Sequence, residues 1–259
     1  MISGSLIPVT TARTPMPAII WLVAVLFLGC GCSAAAVTAS PGPVTRAATA
    51  ASTALQALAA LPVKGRAPLT GYSRAQFGAA WTDDNHALWG GNGLDTRDDV
   101  LSRDLVGIVC RPRPVSTAAH CVVKSGTLDD PYTGSTIAFV RGVDTSALVQ
   151  IDHVVALADA WQKGAQQLTR GQRIDLANDP LNLIAVDGAS NQKKGAGDAA
   201  TWLPPHKSYR CAYAARQIAV KVKYSLWVSP AEDLALQQVL SACTAEPLPI
   251  AALRASTDR

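Results

Sequence analysis

The stretch Val149 to Gly195, VQIDHVVALADAWQKGAQQLTRGQRIDLANDPLNLIAVDGASNQKKG, decides how this chain is read. VQIDHVVAL alternates and then runs apolar with β-branched residues, which predicts a strand over 149–157. ADAWQKGAQQLTR (158–170) is rich in helix formers and predicts an intervening helix, and Asn178-Asp179-Pro180 marks a turn. LNLIAV (181–186) reads as a short buried strand and Asp187-Gly188 as a turn. Ser190 reads as the N-cap of a helix carrying Asn191, Lys193 and Lys194. The order is therefore strand, insertion, strand, helix.

That order brings an Asp-His pair, a buried Asn and a second Asn near one turn. A hard cation such as Mg²⁺ takes oxygen ligands and keeps several waters, so a carboxylate and an amide oxygen suffice when a substrate phosphate supplies the rest. Asp152 and Asn191 offer that pair, His153 is left as a general base on water, and Lys193 and Lys194 beside a helix start would attract phosphate. The chemistry of such a site is phosphodiester hydrolysis.

These residues resemble the three parts of the HNH, or His-Me finger, nuclease motif. Six blocks extend the likeness: DTRDDVLSRDL (95–105), SGTLDDPYTG (125–134), IDHVVALADAW (151–161), NDPLNLIAVDGASNQKKG (178–195), TWLPP (201–205) and YRCAYAARQIAVKVKYSLWV (209–228). Together they resemble the secreted HNH proteins of actinobacteria, which share a nuclease domain with the C-terminal part of GmrSD-type restriction enzymes. The resemblance covers roughly residues 71 to 243. It implies an α+β fold, a small antiparallel sheet with a ββα-metal motif packed by helices. It also implies His153 as base, Asp152 and Asn191 as ligands of one divalent cation, Mg²⁺ first and Mn²⁺ second, and Asn182 as the amide that holds the motif's backbone. Arg97, at a helix start in a shared block, is placed as a fork of donors on the scissile phosphate. The implied substrate is DNA first and RNA second, cut with little sequence preference by a monomer. The alternative is a secreted protein that keeps the frame and binds nucleic acid or an envelope partner without cutting.

The bulk properties are compatible with this and do not demand it. The 259 residues carry a formal charge of +4, a mild excess that many exported proteins share. PAIIWLVAVLFLG (17–29) has the length of a signal-peptide core and is short for a membrane span, so residues 1–39 read as an export segment and the mature chain as lacking a transmembrane span. FLGC, ending at Cys30, resembles a lipobox, which would make the product a lipid-anchored envelope protein instead of a freely secreted one. Residues 40–60 read as an Ala/Thr/Pro-rich linker, 61–245 as the nuclease domain and 246–259 as a tail.

Four cysteines outside the export region allow three pairings, and an exported chain favours disulfides over metal thiolates. The expected pairs are Cys211 with Cys243, bracketing the C-terminal helices, and Cys110 with Cys121, in place of a bridge that Leu94 cannot make where relatives have Cys. VSTAAHC (115–121) resembles the histidine block of trypsin-like proteases. No Gly-rich nucleophile segment follows it, so His120 reads as a loop residue and a protease is the remote alternative. Thr96 is expected to open a helix with Asp98 and Asp99 in its first turn, and Ser229-Pro230 to open the last helix. Residues around 121–128, 136–141 and 149–157 are expected to share one antiparallel sheet.

Overall fold

The computed structural model describes residues 53–111, 121–143 and 145–249. The site is framed by a two-stranded ribbon, β4 (Val149–His153) against β5 (Leu183–Asp187), followed at once by helix α5 (Gly188–Lys194). The strands are antiparallel, Val149 opposite Asp187 and His153 opposite Leu183. Alternation sends Val149, Ile151, Leu183 and Ala185 into one core with Val100, Leu101, Leu128 and Phe139. Ile184 and Val186 face a second core with Tyr132, Val154 and Tyr213. Both faces of the ribbon are covered, which is why LIAV is apolar without interruption.

The expected single sheet is two. Strands β1 (Leu105–Cys110), β2 (Val123–Asp129) and β3 (Thr136–Val140) form a separate antiparallel sheet in the order β1-β2-β3. Strand β1 had no counterpart in the sequence reading. It follows helix α2 (Thr96–Asp104) with no turn residue between them, so its pattern merges with the helix. Asp95 caps α2 by accepting from the Asp98 amide, and Asp98 is buried as the partner of Arg141 and the Val123 amide.

The insertion holds two helices, α3 (Leu157–Gln162) and α4 (Arg170–Asn178), with a 3-10 turn (Ala165–Gln167) between them. The first strand stops at His153 instead of running to Leu157, because the Val154 and Val155 amides bond to Asn182. Helix α5 starts earlier than read. Asp187, not Ser190, is its cap and accepts from the Ser190 amide at 2.7 Å. Gly188 is required there, since a Cβ would lie 2.1 Å from the Ala147 carbonyl oxygen.

Helices α6 (Arg210–Lys223) and α7 (Pro230–Leu240) close the main core, with α7 capped by a Ser229/Glu232 box. Helix α1 (Ala54–Ala60) packs on both, with Ala54 and Leu58 buried. The packed unit therefore takes in part of the stretch read as linker, and at the other end it includes buried Leu248 from the stretch read as tail. Both disulfides form, Cys110–Cys121 and Cys211–Cys243. The stretch expected to be an export segment, with Cys30, and His120 lie outside the described residues. Among the described residues no helix is long and apolar enough to cross a membrane.

Candidate active site

His153 is the last residue of β4, and its ring is fixed from two sides. Nε2 lies 2.9 Å from the Ala177 carbonyl oxygen, which can only accept, so Nε2 carries the proton and Nδ1 keeps the lone pair. Trp81 stacks on the imidazole at 5.7 Å and 11° between planes. Burial pushes the imidazole from 6.5 down to about 3; the Ala177 bond opposes this, and the charges of Arg74 and Lys194 add to it. The ring is therefore uncharged at neutral pH.

Asp152 faces the opposite side of the ribbon. Tyr132 Oη donates to its Oδ2 at 2.5 Å and Lys194 Nζ to its Oδ1 at 3.0 Å. Burial pushes the carboxyl above the usual carboxylate range, against the Lys194 charge and these two bonds. The same ammonium donates to the His153 carbonyl at 2.8 Å, so one buried lysine ties both residues of the pair to the end of α5. Asn182 is fully buried. Its Oδ1 accepts from the Val155 amide at 2.9 Å, and its Nδ2 donates to the carbonyls of Val155 (3.3 Å) and Leu176 (3.2 Å). It clamps the chain just past His153 to the end of α4.

Asn191, on α5, donates from Nδ2 to Gln150 Oε1 at 2.9 Å, which leaves its Oδ1 as the amide's acceptor. Gln150, Asp152, His153 and Asn191 line one cavity of about 300 Å³ together with Tyr72, Arg74 and Gln192. His153 and Arg74 also line an adjoining cavity of about 90 Å³ walled by Trp81 and Phe77.

Other candidates are placed elsewhere. Arg97 turns to the backbone, donating from Nη2 to the Val149 carbonyl at 3.2 Å, and is not on the cavity lining. Burial and then Arg141 lower its pKa. Lys193 is exposed and off the lining. Lys194 is buried with Asp152 and is not presented to a substrate; this corrects its reading as a phosphate contact, because the buried carboxylate captures the ammonium. The basic residues of α6 are engaged internally. Arg216 bonds the carbonyls of Pro180, Leu181 and Leu183, Lys221 pairs with Glu232, and Lys223 pairs with Asp179. His206 braces the turn at Pro131 to Gly134.

The donors on the cavity suit a hard cation: a carboxylate and three amide side chains, Gln150, Asn191 and Gln192, with room for water and a phosphate. Asp152 takes donors from Tyr132, Lys194 and the His153 amide, fewer than the roughly four lone-pair positions of a carboxylate, so the set fits a cation held partly by its substrate. A grouping of Cys211, Cys243 and Glu246 offers no thiolate, since its two sulfurs are bonded to each other.

Tyr132, Trp81, Arg74 and Gln150 were not singled out for these positions from sequence. Tyr132 sits in the block SGTLDDPYTG, where nothing local points toward Asp152. Trp81 and Arg74 come from GYSRAQFGAAW, where nothing local points toward a histidine some eighty residues on.

A protein of Arthroderma benhamiae (strain ATCC MYA-4681 / CBS 112371), described as an uncharacterized secreted protein, is 38% identical over 215 residues, covering 82% of this chain and 96% of that one. No solved structure matches. The model of the GmrSD restriction endonucleases' C-terminal domain, an HNH-type nuclease domain, matches residues 95–239, more than half of the chain and all of the ribbon and α5. The chain belongs to the family of the GmrSD restriction endonuclease C-terminal domain.

Proposed function

We propose that the protein is an exported, metal-dependent endonuclease that hydrolyses phosphodiester bonds of DNA, and of RNA as a second substrate. The observation that carries this reading is the state of His153: Nε2–H is committed to Ala177, which leaves Nδ1 unprotonated on a residue that lines a polar cavity with Asp152 and Asn191. Nδ1 takes a proton from the attacking water, the water oxygen bonds to phosphorus, and the 3′-oxygen leaves. The products are 5′-phosphate and 3′-hydroxyl ends. Asp152 and Asn191, with Gln150 beside them, would hold one divalent cation, Mg²⁺ or Mn²⁺. When bound, that ion supplies charge neutralisation at the phosphate and the leaving oxygen.

Lys194 and Tyr132 position Asp152, and Asn182 positions the backbone after His153. A secreted relative supports export. The test is nicking of supercoiled plasmid by the purified protein with Mg²⁺, Mn²⁺ or EDTA, beside His153→Ala. Metal-dependent nicking that the variant loses supports the reading. A folded wild type that retards DNA and leaves it uncut with every cation would instead support a nucleic-acid-binding protein without catalysis.

A further inference from the structure

We infer that Arg74, in the short 3-10 turn Arg74–Phe77, is the guanidinium that grips the scissile phosphate opposite His153. The inference rests on the nuclease reading above and names a residue for its site.

Arg74 is exposed and lines both cavities that meet at His153. It is the one Lys or Arg on the lining of the larger cavity. Of the other cations near the motif, Lys194 is engaged with Asp152 and Arg97 with the Val149 carbonyl, and Lys193 is exposed and off the lining. Arg74 has no ion pair among the described residues, although the buried clusters of this protein pair nearly all their charges. The Asp152–Lys194 pair is neutral as a unit, so Arg74 sets the sign of the cavity.

The turn that presents Arg74 is firmly anchored. Phe77 is buried, and Tyr72, Phe77 and Trp161 meet edge to face at 6.1 to 6.3 Å. Arg173, on α4, donates from Nε to the Gln76 carbonyl at 3.0 Å, and Gly78 at φ +84° lies so close to Ile174 that a Cβ would come within 2.9 Å of it. A rigid mount carrying an unpaired guanidinium is what bidentate phosphate recognition requires.

Arg74→Ala, Arg74→Lys and Arg97→Ala are compared with wild type for folding by thermal melting, for kcat and KM on duplex DNA with Mg²⁺, and for duplex binding in EDTA across a salt series. Arg74→Ala is expected to melt with wild type and to lose about 100-fold in kcat/KM, mostly in kcat. Its salt slope should be shallower by about 0.9, the loss of one duplex phosphate contact. Arg74→Lys should recover the slope and only part of the rate, since a lysine keeps the charge and loses the fork. Arg97→Ala should leave the slope unchanged. If Arg74→Ala cuts within about threefold of wild type with the same slope, or if Arg97→Ala alone shows the predicted losses, the assignment is overturned while the nuclease reading stands. A folded wild type that leaves DNA uncut with every cation overturns the nuclease reading and this role with it.

Discussion

Two buried ionic clusters, one around Lys163 and one around Asp152, differ in what they leave open. In the first, Lys163 Nζ reaches Asp159 (2.7 Å), Asp198 (2.7 Å) and Glu232 (2.6 Å), Lys221 reaches Glu232 at 3.0 Å, and Arg66 covers Asp159 and Asp198 from the surface side. Three cations meet three carboxylates, and the cluster ties the segment before the first 3-10 turn to α3, α6 and α7. In the second, Asp152 meets Lys194 and Tyr132 from behind while a cavity opens in front. A closed cluster can only hold the fold together, whereas one paired on a single side can hold it and still meet a ligand. The contrast separates structural charge from chemical charge in a protein that buries much of both.

The largest effect that tests this contrast is at the open site. His153→Ala should lower cleavage by about 10²- to 10⁴-fold, the usual range for a general base, with secondary structure by circular dichroism unchanged. Next is the closed cluster: Lys163→Met leaves buried carboxylates without their shared cation and should cost about 3–5 kcal/mol in denaturant unfolding. Its specific activity per folded molecule should stay at the wild-type level, and a large loss there would erase the distinction between the clusters.

Acid should act on the closed cluster through Asp198. Burial pushes this carboxyl up, but the Lys163 hydrogen bond, the Lys163 charge and Arg66 together outweigh it and hold its pKa below the ordinary value. A depressed carboxylate contributes stability above its unfolded pKa of about 3.9 and loses it as pH falls through the folded value. Unfolding midpoints should therefore drop below about pH 4, and the drop should shrink in Asp198→Asn.

Tyr132→Phe removes one donor from Asp152 and should cost about 1–3 kcal/mol of stability, read by denaturant titration. Substrate-free Mn²⁺ binding, read by calorimetry, should strengthen, because the carboxylate gains a free lone pair. Lys193→Ala should be the smallest change, within about 0.5 kcal/mol, since the side chain is exposed and makes no described contact. A loss of DNA binding in that variant would return Lys193 to the substrate surface.

Local pattern carried much of the frame. The apolar runs around Ile151 and Ile184 announced two strands, the Thr96 and Ser229 regions announced helix starts, and four cysteines narrowed the bridges to a few pairings. Each rests on neighbours in the chain, where side-chain period and cap chemistry operate. Strand β1 escaped because it continues α2 without punctuation, and the division into two sheets escaped because strand pairing is a choice among distant partners that alternation does not rank. The Ser190 cap was misplaced by one turn, since Asp187 and Ser190 are both capping residues and only the approach of Gly188 to Ala147 selects between them.

The sequence by itself determined the order strand, insertion, strand, helix and the family to which that order belongs, together with the residue types that can hold a cation and take a proton. Tertiary structure alone decided which charges are free to use them. Lys194 is three residues from Asn191 in the chain and points inward to Asp152; Arg97 sits at a helix start and turns to a strand carbonyl; Arg74, from a segment with no motif, is left facing the cavity. The reason is physical: a charge is captured by whichever buried counter-charge or carbonyl the packed core brings near it, and that proximity is set by contacts far apart in sequence.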